Sequence, residues 1–255
     1  SKGLPEFGAE KAEQLETLVQ FHGADSIAAV IVEPIAGAGG VVLPPQGYLR
    51  RLREICTKYD IVLIFDEVIT GWGRLGSSFA SNLFDVVPDL ITSAKGITSG
   101  VVPLGAVFAQ DEIYQTVVNS AAEGAVEFFH GYTYSAHPVA CAAGLATMDI
   151  YQNEGLLERA NGEIGDYFQE GLHSLKGIDS IVDIRNCGLI GAVQFAQPSH
   201  GKPIGFDILK QCYDKGVLTR SMGNTIALSP PLIIEKSHVD QIVDTLAAVA
   251  KTIEV

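Results

Sequence analysis

Leu63-Ile64-Phe65-Asp66-Glu67-Val68-Ile69-Thr70-Gly71-Trp72-Gly73-Arg74 reads as an apolar strand that closes on an acid and then turns on glycine. Downstream, Pro88-Asp89-Leu90-Ile91-Thr92-Ser93-Ala94-Lys95-Gly96 repeats the pattern, with a lysine following the apolar run. Side chains alternate along a strand, so Asp66 and Val68 share one side and Glu67 points to the other. In open α/β sheets ligands sit beyond the carboxyl ends of strands, and Asp66 lies at such an end. Driving an acid and a lysine toward an interior marks both for chemistry.

Working outward, strand-like runs at 27–32, 61–65, 90–93 and 104–109 alternate with helical patterns, which predicts a mostly parallel sheet covered by helices. The clearest helix carries Tyr48, Leu52, Ile55, Cys56 and Tyr59 on one face, and another is patterned by Leu15, Leu18 and Val19. Pro138 suits the first position of a helix that Ala140 to Tyr151 continues. One long helix is expected next, on Leu157, Ala160, Ile164, Phe168, Leu172 and Leu175. After Gly177 come short β-branched runs, 181–184, 189–195 and 225–228, then a closing amphipathic helix with Val239, Ile242, Val243, Leu246, Val249, Ala250 and Ile253. A domain boundary is expected near residue 152, giving 1–152 and 153–255.

With 47% hydrophobic residues, 18% charged and a net charge of −13 spread along 255 residues, the chain can bury a large core and offers no basic patch for nucleic acid or anionic membrane. No apolar run reaches membrane length. Cys56, Cys141, Cys187 and Cys212 lack C-x-x-C spacing, which fits reduced thiols in a cytoplasmic protein and no disulfide. The first stretch reads as the middle of a fold, so the native start is expected upstream of Ser1.

The sharp reading of the two strand ends is a pyridoxal phosphate enzyme, with Lys95 forming the Schiff base and Asp66 pairing with the ring nitrogen. Taken singly, Asp66 reads more simply as a turn or cap carboxylate and Lys95 as a solvated lysine. The combination changes the reading, because a carboxylate about 3 Å from a pyridinium, at an effective dielectric near 20, attracts it by on the order of 5 kcal/mol before desolvation. Burial beside a cationic ring would lower the lysine's pKa and favour the neutral amine. Gly71-Trp72-Gly73-Arg74-Leu75-Gly76 matches G-x-G-x-x-G, but Asp66 and Glu67 precede it and put negative charge where a pyrophosphate would lie. Gly37-Ala38-Gly39-Gly40 reads as a flexible turn, and His130 and His137 as structural, since two histidines in a glycine-containing loop are too few for a metal.

These two stretches closely resemble the signature of class III (ω-amino acid) aminotransferases. Glu33-Pro34-Ile35-Ala36-Gly37 and His130-Gly131-Tyr132-Thr133-Tyr134-Ser135-Ala136-His137-Pro138 extend the resemblance, which looks most like the β-alanine:pyruvate branch. It implies a fold-type-I α/β large domain, represented by its second half, followed by a small α+β domain. It implies pyridoxal 5'-phosphate as cofactor, with Lys95 covalent and proton-transferring, Asp66 on the pyridine nitrogen and Val68 against the ring. Thr133 matches the threonine that reaches the cofactor phosphate of the neighbouring subunit, so a homodimer or dimer-based tetramer is implied. Arg220 matches the arginine that holds a substrate carboxylate, while Ala227 stands where 4-aminobutyrate and ornithine aminotransferases carry the arginine that partners Glu33. The expected reaction moves an amino group from an ω-amino acid or amine to pyruvate. Other readings are a 4-aminobutyrate or ornithine aminotransferase, an aminomutase, or a structural part without turnover. The resemblance covers only the C-terminal part of such a protein, so this chain alone is expected to be inactive.

Overall fold

The computed structural model describes residues 2–197 and 202–253. In chain order the elements of its first part are α1 (Glu13–His22), β1 (Ala29–Val32), α2 (Tyr48–Lys58), β2 (Val62–Asp66), α3 (Ala80–Phe84), β3 (Leu90–Ser93), β4 (Ala106–Ala109), α4 (Asp111–Asn119) and α5 (Pro138–Asn153). There follow α6 (Leu156–Arg159), α7 (Glu163–Ser174), β5 (Ile181–Cys187), β6 (Ile190–Phe195), α8 (Gly205–Asp214), β7 (Arg220–Met222), β8 (Thr225–Leu228) and α9 (Lys236–Ala250). The first sheet has the order β1-β2-β3-β4, parallel from β1 to β3 and antiparallel at β4. Between Ser93 and Ala106 the chain forms a one-turn 3₁₀ helix, Lys95–Thr98, and no crossover helix, so β4 returns antiparallel.

Packing follows the apolar spacing. Leu49, Leu52, Ile55 and Cys56 form one buried stripe on α2 and meet Leu15 and Val19 of α1 over Leu63 and Phe65 of β2. The arginines of α2 point outward, Arg51 to Glu13 and Arg53 to Asp89. Across the sheet, Ile31 and Val107 are 62% and 65% exposed, an open face on a largely parallel sheet, a type that is normally covered on both sides. The second sheet, β5-β6-β8-β7, is antiparallel and packs Ile184, Val193 and Ile226 against Phe168 and Leu172 of α7 and Val239 and Leu246 of α9. A third cluster, Ile35, Val41, Leu43, Leu75, Ala80, Ile190 and Ala192, joins the two layers.

Several sequence expectations are corrected. The single long helix is two, α6 and α7, because residues 160–162 form a tight turn. Gly76 (φ +82°) abuts that turn so closely that a Cβ would lie 2.2 Å from Asn161 Cβ and 2.4 Å from its nitrogen. The Gly37 to Gly40 turn is clamped, with an Ala36↔Val42 bridge across it and the Arg185 guanidinium donating to the carbonyls of Gly40 and Val41 (Nε 2.9 and 3.0 Å). Leu18 is half exposed, and Tyr59 and Ile253 lie outside their helices. The short α3 and the edge strand β7 carry too little periodic signal to be read in advance.

Gly76→Ala is expected to lower stability by at least about 2 kcal/mol, since backbone strain and a backbone collision add. Gly223→Ala, with φ +57° and nothing within 4 Å of the added Cβ, should cost only about 1 kcal/mol. Urea unfolding of both variants checks the difference.

Candidate active site

β2 and β3 run parallel in register, pairing Ile64 with Leu90 and Asp66 with Thr92. This puts the acid and the lysine, three residues past Thr92, beyond neighbouring strand ends. Asp66 is half buried, and its Oδ1 accepts the Val68 N–H at 3.1 Å, the local turn a short acid is suited to make. Oδ2 accepts no hydrogen bond among the described residues. Lys95 is exposed rather than buried, which corrects the sequence expectation: it opens a 3₁₀ turn beyond the end of β3, at the rim of a cavity. Its amine makes no ion pair or hydrogen bond among the described residues.

That cavity, about 940 Å³, lies between the two layers. Val68 and Lys95 line it from the first sheet, Arg220 and Ala227 from the second, where they are register partners on β7 and β8. Arg74 adds a third cation, against Glu154 as the single lining acid among the described residues. Arg74 is held by carbonyls, donating through Nη1 to Leu189 (3.0 Å) and Pro230, while its own carbonyl accepts the Leu189 N–H. Burial without a carboxylate partner pulls its pKa down to about 10. Asp66, Glu33 and Thr133 are not among the lining residues. The Glu33 carboxylate accepts the Gly37 N–H at 3.1 Å and so closes its own turn, and Thr133 is exposed in a stretch without helix or strand.

Glu67, on the opposite side of the strand end from Asp66, is fully buried. Its carboxylate accepts the N–H groups of Ala80 and Ser81 (2.9 Å) at the start of α3 and the Thr70 hydroxyl at 3.0 Å. The capping role open to either acid of the pair thus falls to Glu67. The glycine-rich turn behind it serves packing: a Cβ on Gly73 would lie 2.9 Å from Leu157 Cα, and no helix begins there to receive a phosphate. Trp72 within this turn donates its indole N–H to Ser93 Oγ (2.6 Å), and Tyr151 of α5 donates its hydroxyl to the Gly96 carbonyl (2.7 Å). Neither aromatic stands out in the sequence as a site residue, because only the fold brings them to the lysine.

Comparison with known proteins gives the family. The family described as Aminotransferase class-III matches residues 5–250. The chain belongs to the class III aminotransferases. It is 52% identical to an omega-aminotransferase of Caulobacter vibrioides over 98% of this chain and 56% of that protein. It is 48% identical to a beta-alanine–pyruvate aminotransferase of Pseudomonas aeruginosa, over 94% of this chain and 54% of that one. Among solved structures, an (S)-enantioselective omega-transaminase from Thermomicrobium roseum superposes with a TM-score of 0.87 at 38% identity, covering 95% of this chain and 56% of that one. The chain therefore spans about half the length of the curated relatives it matches. Class III aminotransferases are pyridoxal-phosphate dependent. The residues here fit that cofactor: an unengaged amine and an unengaged carboxylate oxygen lie beyond adjacent strand ends, and the Thr92 hydroxyl, in register with Asp66, is buried with no partner.

Burial raises the Glu67 pKa above the ordinary 4.5, so the folded protein holds that proton more tightly than the unfolded chain. The stability this contributes is fully present below pH 4.5 and is lost as pH rises from 4.5 through the raised folded value. Glu67→Gln turns an amide N–H₂ toward backbone donors and is expected to cost about 1–3 kcal/mol. Its deficit against wild type should narrow as pH climbs above 4.5, in urea unfolding over a pH series.

Proposed function

We propose that this chain is the C-terminal part of an aminotransferase that moves an amino group from an ω-amino acid such as β-alanine, or from an amine, to pyruvate. One observation carries the reading. Lys95, just past the end of β3 in the first sheet, and Arg220, on β7 of the second, line one cavity and have no ion-pair partner among the described residues. When bound, pyridoxal phosphate supplies an electron sink for the pair released as the substrate carbon loses its proton. Lys95 would hold the cofactor through its Nζ amine, and the same amine, when neutral, would take up and return the proton of the substrate carbon. The free oxygen of Asp66 would hold the proton on the cofactor's ring nitrogen, and Val68 would offer it an apolar wall. Arg220 binds the substrate carboxylate with a planar pair of N–H donors. The excess of cations around the cavity, in a chain of net charge −13, favours entry of carboxylates.

Residues 1–152 would form the C-terminal part of the cofactor-binding large domain and 153–255 the small domain. The open apolar face at Ile31 and Val107 supports cover from further polypeptide in the complete enzyme. Thr133, exposed and away from its own chain's cavity, supports a role toward a partner's cofactor in a homodimer. Free thiols at Cys56, Cys141, Cys187 and Cys212 support a reducing cytoplasm. Against 4-aminobutyrate or ornithine as donor, Ala227 supplies no arginine and Glu33 is engaged by a backbone N–H.

In the full-length protein, borohydride reduction after adding pyridoxal phosphate is expected to label Lys95 and no other lysine by peptide mapping; label elsewhere overturns the assignment. Asp66→Asn should lower kcat by at least about a hundredfold while the protein stays folded. Arg220→Ala should raise KM for β-alanine about tenfold or more and leave a carboxylate-free amine donor nearly unchanged, measured by pyruvate-dependent alanine formation.

A further inference from the structure

Lys95 is held in the left-handed region, φ +47°, where a side chain costs about 1–2 kcal/mol. Trp72 (φ +59°) and Ser99 (φ +51°) share that conformation, so strain gathers around the lysine. Such strain persists only where the surroundings over-determine it. Two contacts do so here. On the side preceding Lys95, the Trp72 indole N–H binds Ser93 Oγ at 2.6 Å. On the following side, the Tyr151 hydroxyl binds the Gly96 carbonyl at 2.7 Å, and that carbonyl also accepts the Ser99 N–H at 3.2 Å. The two aromatic rings pack together with centroids 6.4 Å apart, and Trp72 rests on Phe79 at 5.4 Å. Gly96 lies against Trp72 so tightly that a Cβ there would sit 2.6 Å from Trp72 Cβ. Tyr151 is buried, only 7% exposed, although it stands on α5, whose Val139, Leu145 and Ile150 are exposed.

We propose that Trp72 and Tyr151 are positioning residues that brace the backbone on both sides of Lys95 and so fix the direction in which its amine enters the cavity. Neither touches the reacting atoms. Each acts through one peptide or side chain next to the lysine, and the rings lean on each other so that one hydrogen bond stiffens the other. The inference rests on Lys95 being the cofactor lysine. Its own content is that the lysine's aim is set by side chains from the glycine turn and α5, not by the 3₁₀ turn alone.

The test uses the full-length protein as wild type, Tyr151→Phe and Ser93→Ala, with Tyr167→Phe as a control whose exposed hydroxyl binds Asp240 far from the cavity. In cofactor-free protein, exchange of the amides of 95–99 is expected to quicken about fivefold or more in both variants, by mass spectrometry. With cofactor bound, the pH midpoint of its absorbance should move by about half a unit or more, and kcat should fall about five- to tenfold with KM within about twofold. The control should match wild type in all three. Should Tyr151→Phe fail to fold, Ser93→Ala carries the test by itself. Unchanged exchange, midpoint and kcat in folded variants whose borohydride label still falls on Lys95 would overturn the brace. A label on another lysine in wild type would instead overturn the functional reading on which the brace rests.

Discussion

A carboxylate that water does not reach organises this site. Glu67 stands one residue beyond Asp66, on the other side of the strand end, and gathers two backbone N–H groups of α3 and the Thr70 hydroxyl. An ionisable group is tolerated there because donors surround it, and because removing any partner would leave a buried polar group unpaired. The contact fixes the start of α3, whose N-cap residue Phe79 packs on Trp72. The acid facing the core thus positions the elements around the acid facing the site.

The cavity exists only because two layers with separate cores are fastened together. Arg74 and Arg185 do much of this fastening, and both bind main-chain carbonyls: Arg74 those of Leu189 and Pro230, Arg185 those of Gly40 and Val41. A rigid fork with several donors suits carbonyls that the turns leave without partners. The consequence is electrostatic as well as mechanical. Arg74 spends its donors on neutral oxygens and keeps its charge beside Lys95 and Arg220, in a protein that is otherwise strongly acidic. An approaching anion then meets a cationic cavity on an anionic molecule.

Much of the fold was legible because it rests on local periodicity. The apolar runs that became β1, β2, β3, β5, β6 and β8 and the stripe on α2 needed no knowledge of the rest of the chain, and Pro138 marked the start of α5. The break between α6 and α7 was illegible, since the apolar spacing continues through it and its cause is the approach of Gly76 from elsewhere in the sequence. The clamp on the Gly37 to Gly40 turn is hidden from the sequence for the same reason: composition reports glycine's freedom, and Arg185 removes it from a distance.

The sequence by itself determined that one apolar run closes on Asp66 and Glu67 and that a lysine follows another, because the period of a strand is a local property of the chain. Tertiary structure alone decided that Lys95 and Arg220 line one cavity, that Arg74 joins them, and that Trp72 and Tyr151 bind the Ser93 hydroxyl and the Gly96 carbonyl on either side of the lysine. Those contacts join residues far apart in the chain, and their existence depends on how whole layers pack and on glycines that let backbones approach, which no local pattern encodes.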